Sequence, residues 1–213
     1  MKKTNENLQL LFVIVSVCLV ISNVLSSKLI NLGFVSIPGG IVCYAITYLA
    51  TDIINEIWGG KQANRAVIYG LISQVMACLL IFLTQVLPAA DQSTQLAFET
   101  ILGNNFFFVL ASLVSYIISQ LLDVYLFQKL KKSAKKKWIR NNVSTIISQA
   151  VDSAVYLTIA FGIGYLWLFN GNIGVLLKMF AGQLLVKVIL ALLDTPFFYF
   201  FTRKTKEEVK ELN

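Results

Sequence analysis

The sequence contains no histidine, and its three cysteines, Cys18, Cys43 and Cys78, stand far apart. Zinc sites need clustered Cys and His ligands, and disulfide frameworks need paired cysteines, so neither is expected. The sequence also lacks a G-x-x-x-x-G-K-[ST] loop, which excludes ATP hydrolysis by that route. No Ser or Cys lies beside a plausible base, which argues against a membrane enzyme such as a lipid-modifying transferase. The pattern predicts a protein without metal, cofactor or catalytic residues.

Charged residues are scarce as well. They make up 14% of the chain, whereas hydrophobic residues make up 57% and the mean hydropathy is +0.72. This composition is typical of an integral membrane protein, in which a spanning helix needs about 20 apolar residues. The sequence predicts an all-α bundle of six transmembrane helices in a single domain, 1–213, with helices at approximately 7–30, 40–58, 66–88, 105–128, 143–169 and 175–202.

The basic residues are distributed unevenly between the loops. The outer loops 31–39, 89–104 and 170–174 contain no Lys or Arg. Because cytoplasmic loops are enriched in basic residues, both termini are predicted to be cytoplasmic. The basic run at 129–140 then faces anionic lipid, and nucleic acid is not expected as a partner. Fifteen of the 18 basic residues lie on the side of the termini: Lys2, Lys3, Lys61, Arg65, Lys129, Lys131, Lys132, Lys135, Lys136, Lys137, Arg140, Arg203, Lys204, Lys206 and Lys210.

Two features suggest further organisation. The loop at 31–40 ends in Pro38, Gly39 and Gly40, which are turn residues and indicate a small hairpin on the outer face. If the chain arose by duplication, three helices per half would form an inverted repeat, as in many transporters.

The second predicted helix carries a polar stripe. Tyr48, Thr51, Asp52, Asn55 and Glu56 fall on one face at the spacing of a helix. A carboxylate within a membrane is costly unless it faces water, a partner or a ligand, so the stripe is a candidate binding site. The alternative is that Asp52 lies at the membrane boundary and Glu56 beyond it, solvated and without a role.

The fourth and fifth predicted helices repeat one motif. I-I-S-Q-L-L-D ends at Asp123 and I-I-S-Q-A-V-D ends at Asp152. Gln120 and Gln149 are equally distant from the loop between these antiparallel helices, so the two amides are expected to meet near the middle of the membrane. Tyr116 and Tyr156 extend the two stripes. Ser and Gln could simply join helices by hydrogen bonds, but this does not explain the acids.

The last predicted helix contains Gln183, Lys187 and Asp194 on one side, followed by Pro196, which should kink it. Lys187 lies near the centre of its span and must pair with a carboxylate, become neutral or line a wet cavity. Asp152 or Asp123 is the expected partner, since Asp194 is two turns away on the same helix.

Together these groups predict a polar cavity that binds a hydrogen-bonding solute. Carboxylates and amides can bind the edge of a base, and tyrosines can stack on its ring. The candidate substrate-binding residues are Tyr48, Asp52, Asn55, Glu56, Gln74, Gln120, Asp123, Gln149, Asp152, Tyr156, Gln183 and Lys187.

Three segments resemble a known family. T-D-I-I-N-E-I-W-G-G-K-Q-A-N-R at 51–65, the two S-Q-x-x-D helices and K-x-x-x-x-x-x-D-T-P-F-F-Y at 187–199 are similar to the queuosine precursor transporters, a vitamin-uptake-transporter-like family of six-helix bacterial inner-membrane proteins. The resemblance covers about residues 8–203. It implies uptake of 7-cyano- or 7-aminomethyl-7-deazaguanine for salvage into modified tRNA.

Other functions use similar features. A substrate-binding subunit of an energy-coupling-factor uptake system has a similar length and six helices, another purine-like solute could fit the same groups, and an ion channel could use the same acids. The sequence leaves open whether uptake is coupled to protons and whether the chain forms a homo-oligomer.

Overall fold

The structure is a computed structural model that describes residues 1–31, 36–103, 106–133, 136–163 and 173–203. The described part is almost entirely helical. A short hairpin follows the first helix, and a π-helical segment, Thr158–Ile163, continues the sixth. The elements are α1 (Asn5–Ser26), β1 (Leu29–Asn31), β2 (Ser36–Pro38), α2 (Ile41–Ile57), α3 (Gly60–Val86), α4 (Gln92–Leu102), α5 (Phe106–Ser133), α6 (Lys137–Leu157) and α7 (Ile173–Thr202).

Five of these helices are long and apolar enough to cross a membrane: α1, α3, α5, α6 with its π-helical extension, and α7. The chain is therefore an all-α, multi-pass membrane protein, as its composition predicts. The helix predicted at 40–58 corresponds to α2, which has 17 residues and includes Asp52 and Glu56.

Helix α2 lies at the centre of the bundle. It packs against α1, α3, α5 and α7, and ten of its residues are buried. Helix α1 packs against both α2 and α3, and its buried side chains lie about one turn apart: Leu11, Val15 and Leu19, followed by Ser22. The polar side chains of α2 are buried against neighbouring helices, while apolar side chains such as Val42 and Ile46 are exposed, which is how intramembrane carboxylates are tolerated.

The predicted hairpin is confirmed. Strands β1 and β2 pair antiparallel, with Ile30 opposite Ile37, and the connecting residues 32–35 lie outside the described part. The hairpin leads into α2 through Gly40, where a Cβ atom would overlap the carbonyl oxygen of Ser22 and the hydroxyl of Ser26. Glycine is needed here because α2 begins in direct contact with the end of α1.

The helices begin and end at different residues from those that hydropathy indicates. Helix α1 ends at Ser26 instead of 30, α3 begins at Gly60 instead of 66, α5 continues to Ser133 and α6 begins at Lys137. Hydropathy identifies only the part of a helix that lies in hydrocarbon. Because lysine is a good helix former, the helices continue beyond that part into water. The basic run is therefore mostly helical. Of the predicted span 143–169, the residues 164–169 lie outside the described part.

Helix α4 occupies the segment predicted to be an outer loop. Asp91 caps it, with its Oδ2 accepting from the Thr94 backbone N–H at 2.8 Å and the Thr94 hydroxyl at 2.9 Å. Ser93 also donates to this oxygen, and the three hydrogen bonds lower the pKa of Asp91 to about 2. An Asp before a polar helical turn is a common start of a helix, so the residues themselves indicate α4.

Candidate functional site

A narrow, partly open cleft lies between α2, α6 and α7. Its enclosed part has room for about one water molecule, roughly 10 Å³, and the space between its walls reaches about 250 Å³ only when the open mouth is included. Tyr44 and Tyr48, one turn apart on α2, form an aromatic wall, while α6 and α7 contribute polar groups. The lining residues are Ile41, Tyr44, Ala45, Tyr48, Thr145, Gln149, Lys187, Leu190, Ala191 and Asp194.

Lys187 and Asp152 form an ion pair beside this cleft. Lys187 Nζ lies 2.6 Å from Asp152 Oδ2 and donates to Ser153 Oγ at 2.9 Å. The side chains are only 11% and 8% exposed, so the pair joins α7 to α6 away from water. The expectation that Lys187 pairs with a carboxylate of another helix is confirmed, with Asp152 as the partner.

A chain of hydroxyl groups extends this ion pair to α2 and α5. Ser119 Oγ donates to Asp152 Oδ1 at 3.2 Å and accepts from the Tyr48 hydroxyl at 3.0 Å. Tyr48 also lines the cleft, and its hydroxyl is fixed by this hydrogen bond. The network connects four helices and holds the aromatic wall in place.

Asp52 and Asp123 form a second acidic group, at the interface of α2 and α5. Thr145, which lines the cleft, donates to Asp52 Oδ2 at 3.2 Å, and Ser148 donates to Asp123 Oδ1 at 2.9 Å. The two carboxyl groups are in direct contact. Asp52 Oδ1 and Asp123 Oδ2 accept no hydrogen bond from any other side chain in the described ranges, and the two carboxyl groups face each other instead of the cleft.

The buried amides are also incompletely satisfied. Gln120 is fully buried, yet neither atom of its amide has a partner among the residues that the structure describes, so the expected meeting with Gln149 does not produce a hydrogen bond. Gln149 is 4% exposed, lines the cleft, and has an Oε1 atom that likewise lacks a described partner. A buried polar atom without a hydrogen bond costs about 1–3 kcal/mol, which indicates that water or a solute completes this site.

Glu56 lies in a separate ion cluster at the basic end of the bundle. Its carboxylate is 7% exposed and lies 2.5 Å from Arg140 Nη2, 3.3 Å from Lys137 Nζ and 3.2 Å from Lys131 Nζ. Lys137 also donates to the carbonyl oxygen of Thr202 at 3.1 Å. The interpretation of Glu56 as solvated and without a role is wrong. Its carboxylate joins α2 to α5 and α6, and Lys137 extends the connection to α7.

The remaining candidates do not line the cleft. Asn55 accepts from the Gln128 amide through both its side-chain and backbone oxygens and so connects α2 to α5. Gln74 donates to Cys78 Sγ at 3.3 Å within α3. Tyr156 stacks with Phe108 at 6.5 Å between ring centroids, and Gln183 is half-buried on α7.

Seven of the ten lining residues are absent from the predicted set, and three of these seven have polar groups on their side chains: Tyr44, Thr145 and Asp194. Tyr44 precedes Tyr48 by one helical turn and Thr145 precedes Gln149 by one turn, so extending the two stripes by four residues would have included both. Asp194 lies on the same predicted helix face as Lys187, and this position is the signal that indicates it. The sequence identifies Arg140 only as a topology signal, because its partner Glu56 is distant in the chain.

Comparison with known proteins gives a consistent result. A protein of Bacillus subtilis strain 168 named "Probable queuosine precursor transporter" is 32% identical over 197 residues, covering 89% of this chain and 82% of that protein. A Haemophilus influenzae protein of the same name is 27% identical, covering 68% and 63%. The Escherichia coli K12 "Queuosine precursor transporter" is 26% identical, covering 57% and 54%. No solved structure matches the chain significantly.

The family described as "Putative vitamin uptake transporter" matches residues 38–201, which include α2 and every residue that lines the cleft. The relatives are named as transporters, and the five long apolar helices are those of a multi-pass membrane protein. This chain belongs to that uptake-transporter family.

Proposed function

We propose that the protein imports a queuosine precursor, 7-cyano- and/or 7-aminomethyl-7-deazaguanine, across the bacterial inner membrane for salvage into tRNA. The observation that carries this proposal is a cleft with an aromatic wall and a buried amide oxygen, that of Gln149, that has no described partner. The solute is inferred from the names of the relatives, and the cleft contains groups that can bind it.

The chemistry of a deazaguanine matches the lining of the cleft. The base presents an N–H and an amino group beside a carbonyl oxygen. Gln149 Oε1 accepts from the N–H or amino group, and the Lys187 ammonium is near enough to the same space to serve the carbonyl. Tyr44 and Tyr48 stack on the flat ring. Because the cleft is narrow, α2 and α7 must separate to admit the base.

The proposal counts α2 as a membrane span in addition to the five long apolar helices, which gives six spans. It places both termini in the cytoplasm and relates the two halves of the chain by an inverted three-plus-three repeat. Support for the orientation comes from the positions of the Lys and Arg residues. The Glu56 cluster then closes the cytoplasmic end of the bundle, and the cleft reaches the outside first. In this arrangement the bundle alternates between a state closed at its cytoplasmic end and a state closed at its outer end.

The topology is tested with reporter fusions. Green fluorescent protein fused after Asn213 should fluoresce in the cytoplasm, and alkaline phosphatase inserted after Ala89 should be active only outside, because it needs disulfides that form there. The exchanged fusions, phosphatase at the terminus and fluorescent protein after Ala89, serve as controls and should be inactive. Activity of the exchanged fusions would contradict the six-span arrangement.

Uptake tests the function directly. Labelled base should accumulate in cells that lack their own transporter when this gene is the only addition. Gln149→Ala should lower uptake about tenfold, because a donor of the base then stays unpaired at a cost of about 1–3 kcal/mol. The amount of protein in the membrane should not change, since Gln149 Oε1 has no described protein partner to lose.

The matched control is Asp91→Asn, in the segment between α3 and α4, where asparagine can still cap the helix. Its uptake should equal that of the parent. If Gln149→Ala also transports like the parent, the polar groups only join helices, and the base binds elsewhere. If uptake requires a co-purifying ATPase, the chain is instead the substrate-binding subunit of an energy-coupling-factor system.

A further inference from the structure

The charges around the cleft do not balance. Among the described residues Lys187 is the only cationic side chain that lines it, and its ammonium is already bound by Asp152 and Ser153. Three further carboxyl groups, those of Asp52, Asp123 and Asp194, have no ion pair with any residue in the described ranges. Of these three, only Asp194 lines the cleft, which therefore combines one neutralised ion pair with one unpaired carboxyl group.

Asp194 is the member of this group that reaches the open space. It lines the cleft two turns beyond Lys187 on α7 and makes neither a hydrogen bond nor an ion pair within the part of the chain that the structure describes. Asp52 and Asp123 are held instead by Thr145 and Ser148. The cations at the basic end of the bundle form ion pairs with Glu56 and do not reach the cleft: Lys131, Lys137 and Arg140.

An independent observation indicates that a ligand occupies this space. Gln149 is more than nine-tenths buried, lines the same cleft, and has an amide oxygen without a described partner. Lys187 shows in addition which chemistry the cleft accepts, since an ammonium is held there by one carboxylate and one hydroxyl. A second ammonium, supplied by the solute, would find Asp194 free.

We propose that Asp194 forms a cation subsite, which binds a positively charged substituent of the transported base while Gln149 binds its ring edge. This inference rests on the proposed function and names the form of base that the protein prefers: one with a protonated aminomethyl group, over one with a neutral nitrile. A primary alkyl amine is protonated at neutral pH, as lysine is, whereas a nitrile carries no charge. The tyrosine wall contributes further attraction for the cation.

The test compares 7-aminomethyl- and 7-cyano-7-deazaguanine in the same uptake assay. In the parent, the aminomethyl base should have at least a tenfold lower half-saturation concentration and should displace the cyano base in direct competition. Asp194→Asn should raise the half-saturation concentration of the aminomethyl base about tenfold and change that of the cyano base less than twofold. Asp194→Glu keeps the charge and should retain the preference. Asp91→Asn, an acid-to-amide change outside the cleft, should match the parent.

The outcomes separate this inference from the function on which it rests. Uptake of both bases with equal affinity by the parent, or an equal loss of both in Asp194→Asn, would overturn the cation subsite while leaving base transport intact. Uptake of neither base would overturn the proposed function and the subsite with it. The competition in the parent needs no variant, so it decides the question even if Asp194→Asn fails to fold.

Discussion

Replacing Lys187 by methionine is expected to destabilise the protein by about 3–5 kcal/mol, because it leaves the carboxylate of Asp152 buried without its cation. The two side chains are 11% and 8% exposed, and Ser119 is the only other side chain that donates to Asp152 among the hydrogen bonds of the described residues. The free energy of unfolding, measured by denaturation in detergent, checks this. Lys178→Met, at an exposed lysine on the same helix, is the matched control and should change stability little.

A second change distinguishes the ion pair from simple packing. Adding Asp152→Asn to Lys187→Met removes the unpaired charge, and the new amide oxygen can still accept from Ser119, so the double variant should regain most of the lost stability. Uptake should stay low, because Lys187 lines the cleft. A double variant no more stable than Lys187→Met would mean that the lysine stabilises the bundle by packing and not by pairing.

The sequence predicted the interior of the bundle better than its ends. An ammonium in hydrocarbon pairs with a carboxylate, loses its charge or faces water, and pairing limits the partners of Lys187 to a few acids, of which Asp152 is the one found. The S-Q-x-x-D motif likewise placed Asp123 and Asp152 inside the bundle. By contrast, hydropathy is insensitive to helical residues in water, so the starts of α3 and α6 and the whole of α4 were missed.

The depth of a residue in the membrane can be estimated from the sequence, but the rotation of its helix cannot. Gln120 and Gln149 are equally far from the loop between α5 and α6, yet Gln149 lines the cleft and Gln120 does not. The rotation of a helix is set by its packing against several helices at once. At Gly70 of α3, for example, a Cβ atom would come within 2.7 Å of the Tyr116 hydroxyl on α5 and 3.3 Å of Val15 on α1. Such contacts join residues that are distant in the chain.

The Glu56 cluster also joins residues that are distant in the chain, and its removal is expected to have a large effect on the bundle. The sequence indicates Arg140 and Lys137 only as topology signals. In the structure their charged groups contact Glu56, and their side chains are almost as buried as that of the acid. Glu56→Gln removes the anion that these two cations share with Lys131. Breaking such a buried group costs about 3–5 kcal/mol, and the cost is relieved if the helices separate and admit water. Glu56→Gln should therefore open the basic end of the bundle.

Opening can be measured by the labelling of a cysteine in the cleft. Ala191 is buried on the cleft wall, so Ala191→Cys, in a protein whose three native cysteines are replaced by serine, should react slowly with a membrane-impermeant maleimide applied to inside-out vesicles. Adding Glu56→Gln should speed the reaction at least tenfold, which corresponds to a shift of about 1.4 kcal/mol toward the open state. Glu99→Gln, at an exposed acid on α4, should leave the rate unchanged. Faster labelling from the outer side instead would mean that the Glu56 cluster holds the bundle together without closing its basic end.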